Sequence, residues 1–241
     1  MKYTRLLTAS LCFLLLISTS PAWATKDFPP WDEGVFAEVA KRHGEKAAAR
    51  LRDVYSLIIV YINDPVADQL EAVNEYMNEL KWIADSELWK QEDYWATPFE
   101  TVTTFGGDCE DIAIAKYTVL RLMGVPDADL GFAHVITSKG ENHMVLIYKN
   151  AENVALILDN QHSQIVAADK RTDLRAVYVF QNDGTVFVIK DDGKGARSIL
   201  QKREKTNLSK RLTVKERAKE NSGSYMPFNE GRPLAPEWAR N

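Results

Sequence analysis

Residues 103–124 read TTFGGDCEDIAIAKYTVLRLMG, and this stretch predicts a helix that begins beside Cys109. The two glycines before the helix allow the backbone to approach a neighbour closely, and Gly124 and Pro126 end the run. Apolar residues recur along it at helical spacing, at Ile112, Ala115, Val119, Leu122 and Met123. The pattern therefore predicts a helix that carries a cysteine in its first turn.

Three carboxylates surround this cysteine: Asp108 precedes it, and Glu110 and Asp111 follow it. The N–H groups and dipole of a helix N-terminus lower the pKa of a cysteine thiol and favour the nucleophilic thiolate. Neighbouring carboxylates raise that pKa. Acidic residues in a first turn are common helix caps, and they are equally suitable ligands for a dication that would offset their charge. From the residues alone, both interpretations stay open.

The first 24 residues have the pattern of a secretory signal peptide. Lys2 and Arg5 supply a basic start, residues 11–17 an apolar core, and residues 22–24 a small-x-small end after which cleavage is expected. An uncleaved N-terminal anchor is the alternative, although the apolar run is too short to span a bilayer. We expect no stable membrane insertion of the mature chain.

The charge and the cysteine count narrow the function classes. The 241 residues include 30 Lys and Arg and 34 Asp and Glu, for a formal net charge of −4, which argues against general nucleic-acid binding. One of the two cysteines lies in the predicted signal peptide. Cys109 therefore cannot form a disulfide within an exported chain, and it is expected to be buried, paired between chains or chemically used.

The order of the predicted elements favours an α+β fold. Helical patterns are predicted over residues 34–62, 66–84 and 108–123, and β-patterns over 130–138, 143–149, 153–160, 175–180 and 185–190. We expect one domain over residues 25–190, followed by a basic, partly flexible C-terminal segment over 191–241. The basic run at 197–219 is interpreted as a solvated tail, with a receptor-docking or lipid-facing surface as the alternative.

A catalytic thiol needs a histidine, and the hairpin formed by the second and third predicted strands favours His143. A turn centred near residue 151 would place His143 opposite Asp159, with Cβ atoms ~5 Å apart. An aspartate in that position can hold an imidazole in the correct tautomer. We therefore predict a Cys109, His143 and Asp159 constellation, which a register slip of one residue would disrupt.

The other three histidines are weaker candidates. His134 is expected on the sheet face opposite His143, as a structural residue. His162 follows the strand of the predicted aspartate in a loop and could rival His143, and His43 is expected at the surface of the first helical region.

The combination of motifs resembles a known family of thiol enzymes. A cysteine at a helix start, followed by His and Asp on successive strands, is similar to the transglutaminase-like branch of the papain-type enzymes. Residues 106–125 (GGDCEDIAIAKYTVLRLMGV), 143–148 (HMVLIY) and 156–160 (LILDN), with the preceding segment 95–98, resemble the LapG-type bacterial transglutaminase-like cysteine proteinases. The resemblance covers about residues 31–190 and implies a papain/transglutaminase-like fold, with N-terminal helices packed on an antiparallel sheet.

The same resemblance implies roles for individual residues. Cys109 would be the nucleophile, His143 the general base and acid, and Asp159 the orienting carboxylate. LapG-type proteins depend on calcium, so Asp108 and Glu110, with Asp111 as a further candidate, would be Ca²⁺ ligands.

The oxyanion of an acyl intermediate also needs donors. The backbone N–H of Cys109 is the natural first donor. Trp95 or Gln91 are guesses for a second, and Trp95 is equally well interpreted as a core residue.

Members of the resembled family act in the periplasm. They cleave the N-terminal retention region of very large surface adhesins, typically beside a paired-alanine site, and this releases the adhesin and disperses biofilm. An inner-membrane cyclic-di-GMP receptor of the LapD type sequesters them. The resemblance implies this substrate and this partner for the present chain. A transglutaminase or amidase with the same triad, and a non-catalytic receptor-binding module, are the alternatives.

Overall fold

The computed structural model describes residues 26, 28, 30–182, 184–191 and 197–202. The predicted signal peptide lies outside the described residues, as does the C-terminal segment from residue 203 onward, so both stay predictions. None of the helices in the described ranges has the length and apolar character that a membrane crossing requires.

The N-terminal region is a helical layer of α1 (Glu33–His43), α2 (Glu45–Tyr61) and α3 (Val66–Asn78). The sequence predicted one helix over 34–62, and this is wrong. Gly44 adopts φ 90° between α1 and α2, a conformation that favours glycine, and its N–H donates to Ala40 O. The second predicted helix ends at Asn78 rather than at 84, because residues 81–82 enter a short strand.

Two short helices and a two-strand ladder lie between α3 and the cysteine. The ladder pairs β1 (Lys81–Trp82) in parallel with β2 (Gly106–Gly107). Helix α4 (Asp85–Leu88) follows β1, and α5 (Pro98–Thr104) precedes β2. A capping box of Thr97 and Glu100 starts α5, with proline at its first position. The ladder therefore brings residues 85–95 close to the start of the next helix.

Helix α6 (Cys109–Leu122) forms as the sequence predicts and occupies the centre of the fold. Asp108 is its N-cap, and the Asp108 carboxylate accepts from the Asp111 N–H. Its apolar face packs in the main core with α3, α5 and the sheet. The helix also carries Lys116, which is 1 % exposed.

The second layer is a seven-stranded sheet with the order β6-β5-β4-β3-β7-β8-β9, in which every pairing is antiparallel. Single turns of 3-10 helix lie at Asp127–Asp129 and Ala168–Lys170. The strands are β3 (Leu130–Thr137), β4 (Asn142–Lys149), β5 (Ala155–Asp159), β6 (His162–Ala167), β7 (Leu174–Phe180), β8 (Val186–Asp191) and β9 (Arg197–Lys202). Helices followed by an antiparallel sheet confirm the predicted α+β class.

Two strands go beyond the sequence prediction. Strand β6 was expected to be a loop, and β9 falls in the segment that was assigned to the C-terminal tail. The domain boundary predicted at residue 190 lies inside β8, and the sheet continues through residues 197–202. β6 lies at one edge of the sheet, so the connection to β7 passes β5, β4 and β3.

The register of the β4–β5 hairpin differs from the prediction. Leu146 pairs with Leu158 and Ile147 with Ile157, so the turn is centred at residue 152 rather than 151. His143 and Asp159 are therefore not directly opposite each other. The offset equals two residues, and both side chains stay on one face, as diagonal neighbours.

Candidate active site

Cys109 is the first residue of α6, and the two glycines that precede it lie in tight contact with their neighbours. A Cβ atom on Gly106 would lie 2.6 Å from Ile83 Cδ1 and 2.9 Å from Lys81 O, and one on Gly107 would lie 2.7 Å from Asp111 Oδ2. Neither glycine can therefore gain a side chain without a shift of its neighbours. The glycine pair sets the entry of the chain into the helix that carries the thiol.

The thiol of Cys109 is half-buried and donates a hydrogen bond to Glu110 Oε2 at 3.1 Å. Burial raises the pKa of Cys109, and the Glu110 carboxylate raises it further, while a backbone hydrogen bond from Met144 opposes both. Burial is the largest of these causes. With its acidic neighbours ionised and uncompensated, the thiol stays protonated at neutral pH.

His143 and Asp159 form a buried pair. His143 Nε2 lies 2.8 Å from Asp159 Oδ1, and the two residues are 3 % and 1 % exposed. Burial alone would raise the pKa of Asp159, but hydrogen bonds from His143, the Gln161 N–H and Arg171 together lower it below its usual value. Asp159 is therefore ionised at neutral pH and can only accept, so Nε2 of His143 carries the proton.

The position of Cys109 relative to this pair follows from its contact with β4. Met144, whose backbone bonds the thiol, directly follows His143 in the strand. No hydrogen bond joins Cys109 to His143 among the residues that the structure describes. With Nε2 on Asp159, Nδ1 is the imidazole nitrogen left to accept a thiol proton. The structure pairs His143 with Asp159, while the complete triad stays a prediction.

The remaining histidines have other partners. His134 stacks on Tyr178 with ring centroids 4.9 Å apart, and its Nε2 lies 3.1 Å from Asn142 Oδ1. In the sheet, His134 pairs with Met144 and Val135 with His143, so His134 and His143 lie on opposite faces. His162 begins β6, and its Nδ1 lies 3.0 Å from Gln164 O. His43 packs edge-on against Phe99 at 5.2 Å.

An acidic cluster lies beside the cysteine. Oxygens of Asp85, Asp93 and Glu110 come within 4.8 Å of one another, and oxygens of Asp85, Asp108 and Asp111 do the same. We call these five residues the acidic cluster. Asp85 belongs to both groups and so links Glu110 to Asp108 and Asp111. The structure thus connects the three predicted ligands through Asp85 and adds Asp93, and the sequence analysis missed both of these aspartates.

The cluster is electrostatically strained in the absence of a cation. Burial raises the pKa of Asp108 to about 9, together with the charges of Asp111, Glu110 and Asp85. Asp85 and Asp111 are buried, and carboxylates this close to them cannot all ionise unless a positive charge compensates them. Five carboxylates supply the hard oxygen ligands that Ca²⁺ prefers, and Ca²⁺ takes six to eight of them. The residues present therefore fit a hard divalent cation.

Backbone and indole donors hold the carboxylates of the cluster in place. Ala96 N–H donates to Asp111 Oδ1 at 2.7 Å, and Tyr94 N–H donates to Asp85. Trp95 Nε1–H donates to Asp93 Oδ1 at 2.9 Å, and the Trp95 ring is 4 % exposed in the main core. The oxyanion-donor guess for Trp95 therefore has no support from this geometry. The alternative interpretation, a core residue, agrees with the structure.

A family model described as bacterial transglutaminase-like cysteine proteinase matches residues 37–183. The chain belongs to this family. It is similar to calcium-bound LapG of Legionella pneumophila, with 30% identity and a TM-score of 0.62, over 75% of this chain and 97% of that one. A second Legionella LapG structure is 34% identical over 67% of this chain and 90% of that one, with a TM-score of 0.57.

An EGTA-treated form of Legionella LapG is similar as well, at 29% identity and a TM-score of 0.61, over 76% of this chain and 96% of that one. A comparison with curated proteins gave no match. Membership of the transglutaminase-like cysteine proteinases confirms the predicted resemblance, the predicted fold and the broad enzyme class.

The site residues that sequence reasoning missed share one property: no motif quoted in the sequence analysis contains them. Asp85 and Asp93 belong to an aromatic, polar stretch without periodicity, and Arg171 lies in the connection between β6 and β7. No spacing relative to Cys109 or Asp159 singles them out. A resemblance restricted to the three motifs gives no signal for them either.

Proposed function

We propose that this protein is a calcium-dependent cysteine endopeptidase that uses Cys109, His143 and Asp159 as a catalytic triad. The observation that carries the proposal is the buried His143–Asp159 pair at 2.8 Å, one residue from the Met144 backbone that bonds the thiol. Membership of the transglutaminase-like cysteine proteinases supports it.

The chemistry follows from the roles of these groups. His143 accepts the Cys109 proton at Nδ1, while Asp159 holds Nε2–H and stabilises the imidazolium. The thiolate attacks the scissile carbonyl, and the backbone N–H of Cys109 at the start of α6 donates to the oxyanion. His143 then protonates the leaving amine and activates the water that hydrolyses the acyl-enzyme.

The acidic cluster would hold the Ca²⁺ ion. When bound, the ion supplies positive charge that offsets the carboxylates beside the thiol and so lowers the pKa of Cys109. Glu110, which accepts a hydrogen bond from the Cys109 thiol, is also a cluster member. The similarity to a calcium-bound LapG supports this ion.

The proposed biological substrate is the N-terminal retention region of a large surface adhesin. Cleavage there would release the adhesin from the cell surface and disperse biofilm. The proposed compartment is the periplasm, and the proposed regulator is an inner-membrane cyclic-di-GMP receptor of the LapD type. The family resemblance supports the substrate, the compartment and the receptor alike.

The test follows the alkylation of Cys109 by iodoacetamide, measured by intact mass across pH, in calcium and after chelation with EGTA. We expect fast labelling near neutral pH in calcium, a large loss after chelation, and a similar loss in His143→Ala. His134→Ala is the matched control and should label like the wild type. Labelling at the rate of a free thiol, unaffected by calcium or by His143→Ala, would refute the proposed mechanism.

A second assay addresses the reaction class. A purified adhesin retention-region fragment is incubated with the wild type and with Cys109→Ala, with and without a primary amine. Two shorter fragments from the wild type alone support endopeptidase activity. Amine incorporation without chain cleavage would instead indicate the transglutaminase alternative.

A further inference from the structure

Arg171 is a buried charged residue that the triad chemistry leaves without a role. It lies in the connection that leads from β6 at the sheet edge to β7, directly after the 3-10 turn Ala168–Lys170. It is 7 % exposed. Burial of a guanidinium requires compensating partners, so these partners indicate what the residue does.

Both partners of Arg171 are carboxylates. Nη2 donates to Asp159 Oδ2 at 2.8 Å and to Asp173 Oδ2 at 2.7 Å, and Nε donates to Asp173 Oδ1 at 2.9 Å. Asp173 thus receives two hydrogen bonds from the fork of the guanidinium, an arrangement that fixes the plane of the group. Asp173 fixes Arg171, and Arg171 in turn contacts the predicted catalytic carboxylate.

Arg171 and His143 divide the two oxygens of Asp159 between them. Oδ1 accepts from His143 Nε2 and from the Gln161 N–H, whereas Oδ2 accepts from Arg171. Rotation of the carboxylate would break hydrogen bonds on both oxygens at once. Arg171 therefore fixes which oxygen faces the imidazole.

We propose that Arg171, held by Asp173, is a positioning residue that orients Asp159 toward His143 in the catalytic pair. The inference rests on the proposed function, because it assigns Arg171 a part in the reaction of the triad. A purely structural ion pair would stabilise the β6–β7 connection without any effect on thiol chemistry.

The charge of Arg171 gives the proposal a pH signature. Three sets of ionisable groups surround Asp159. His143 contacts it from β4, Arg171 with Asp173 lies on the β6–β7 connection, and Lys116 on α6 interacts with it electrostatically. Arg171 is among the groups that lower the pKa of Asp159. Its loss removes a positive charge from beside the His143–Asp159 pair, which makes proton release in the site harder, so the acid side of the rate profile moves upward.

The test measures the iodoacetamide alkylation rate of Cys109 against pH at saturating calcium in the full chain. For Arg171→Met we expect a plateau rate lower by about tenfold or more, because a misplaced base loses its near-attack geometry, and an acid limb at higher pH. Arg171→Lys keeps the positive charge but cannot make the paired hydrogen bonds of the guanidinium. Its plateau rate should therefore fall, while the acid side of its pH profile should match the wild type. Asp173→Asn should lie between the wild type and Arg171→Met.

Arg175→Met is the matched control, because Arg175 is an exposed arginine on β7. It should match the wild type in both rate and pH profile. Wild-type plateau rates in Arg171→Lys and Asp173→Asn would overturn the proposal, even if Arg171→Met failed to fold. Wild-type labelling that ignores His143→Ala would instead refute the proposed function itself, so the two failures are distinguishable.

Discussion

The acidic cluster should make the stability of the calcium-free protein fall as pH rises. Burial raises the pKa of Asp108 from 3.8 to about 9, with Asp111 as the largest of the charges that add to it. The folded protein therefore retains a proton that the unfolded chain releases. A carboxyl group of this kind leaves stability intact below its unfolded pKa and reduces it as pH rises toward the folded pKa.

The magnitude follows from proton linkage. One additional proton bound by the folded state gives a slope of about −1.4 kcal/mol per pH unit in the free energy of unfolding. Between about pH 5 and pH 7, below the range in which Lys116 adds an opposite slope, chelated protein should therefore lose up to about 3 kcal/mol of stability. Calcium should remove this slope, because carboxylates that coordinate the ion are ionised at every pH in that interval.

Asp108→Asn isolates the effect. The amide retains an oxygen that can accept from the Asp111 N–H at the start of α6, so the cap survives while the titrating group is lost. Urea unfolding followed by tryptophan fluorescence, in EGTA and in calcium, gives the slope for each variant. Asp64→Asn, at an exposed position, is the control and should keep the wild-type slope. A flat or rising stability profile for the chelated wild type, or an unchanged slope in Asp108→Asn, would refute this reasoning.

Three further predictions concern the surroundings of the site. Burial lowers the pKa of Lys116 to about 7. In saturating calcium, wild-type stability should therefore rise with pH between about 7 and 10 by at most about 1.4 kcal/mol per unit, and this rise should vanish in Lys116→Met on urea unfolding. Gly107→Ala should weaken calcium binding by about tenfold or more in calorimetric titration, because the new Cβ would lie 2.7 Å from Asp111 Oδ2. Gly34→Ala, which meets ordinary contacts, should bind like the wild type. Trp95→Phe keeps the core ring but loses the N–H bond to a cluster carboxylate, so calcium affinity should fall several-fold while alkylation at saturating calcium stays unchanged.

Periodicity predicted α6 well and failed at Gly44 for a physical reason. The apolar residues of α6 face one contiguous core, so spacing alone identifies the helix. Around Gly44, helix formers continue on both sides without a proline, so periodicity alone runs through the break. Gly44 itself, after the basic residues 41–43, is the local signal that the periodicity reading passed over. α1 and α2 then fold against each other around Phe36 and Tyr55.

The register error of the β4–β5 hairpin shows why the histidine–aspartate prediction survived. The turn carries Asn153 at φ 60° and is centred one residue later than its composition indicates. A shift of the centre by one residue changes the pairing by two, and a two-residue change keeps every side chain on its face. His143 and Asp159 then meet as diagonal neighbours through long side chains. An odd offset in the pairing would have separated them.

Asp85 and Asp93 join the cluster only because β1 pairs with β2. That ladder sets Lys81 beside Gly106 and Trp82 beside Gly107, and so brings the stretch that follows β1 against the start of α6. Two of the five carboxylates thus depend on a long-range contact, while the other three adjoin Cys109 in sequence. A cation held by this cluster would change the charge next to the thiol and would also fix the entry of α6. Under the proposed mechanism, metal binding and nucleophile activation are therefore one event, and a variant that separates them would have to move the acidic residues away from Cys109 itself.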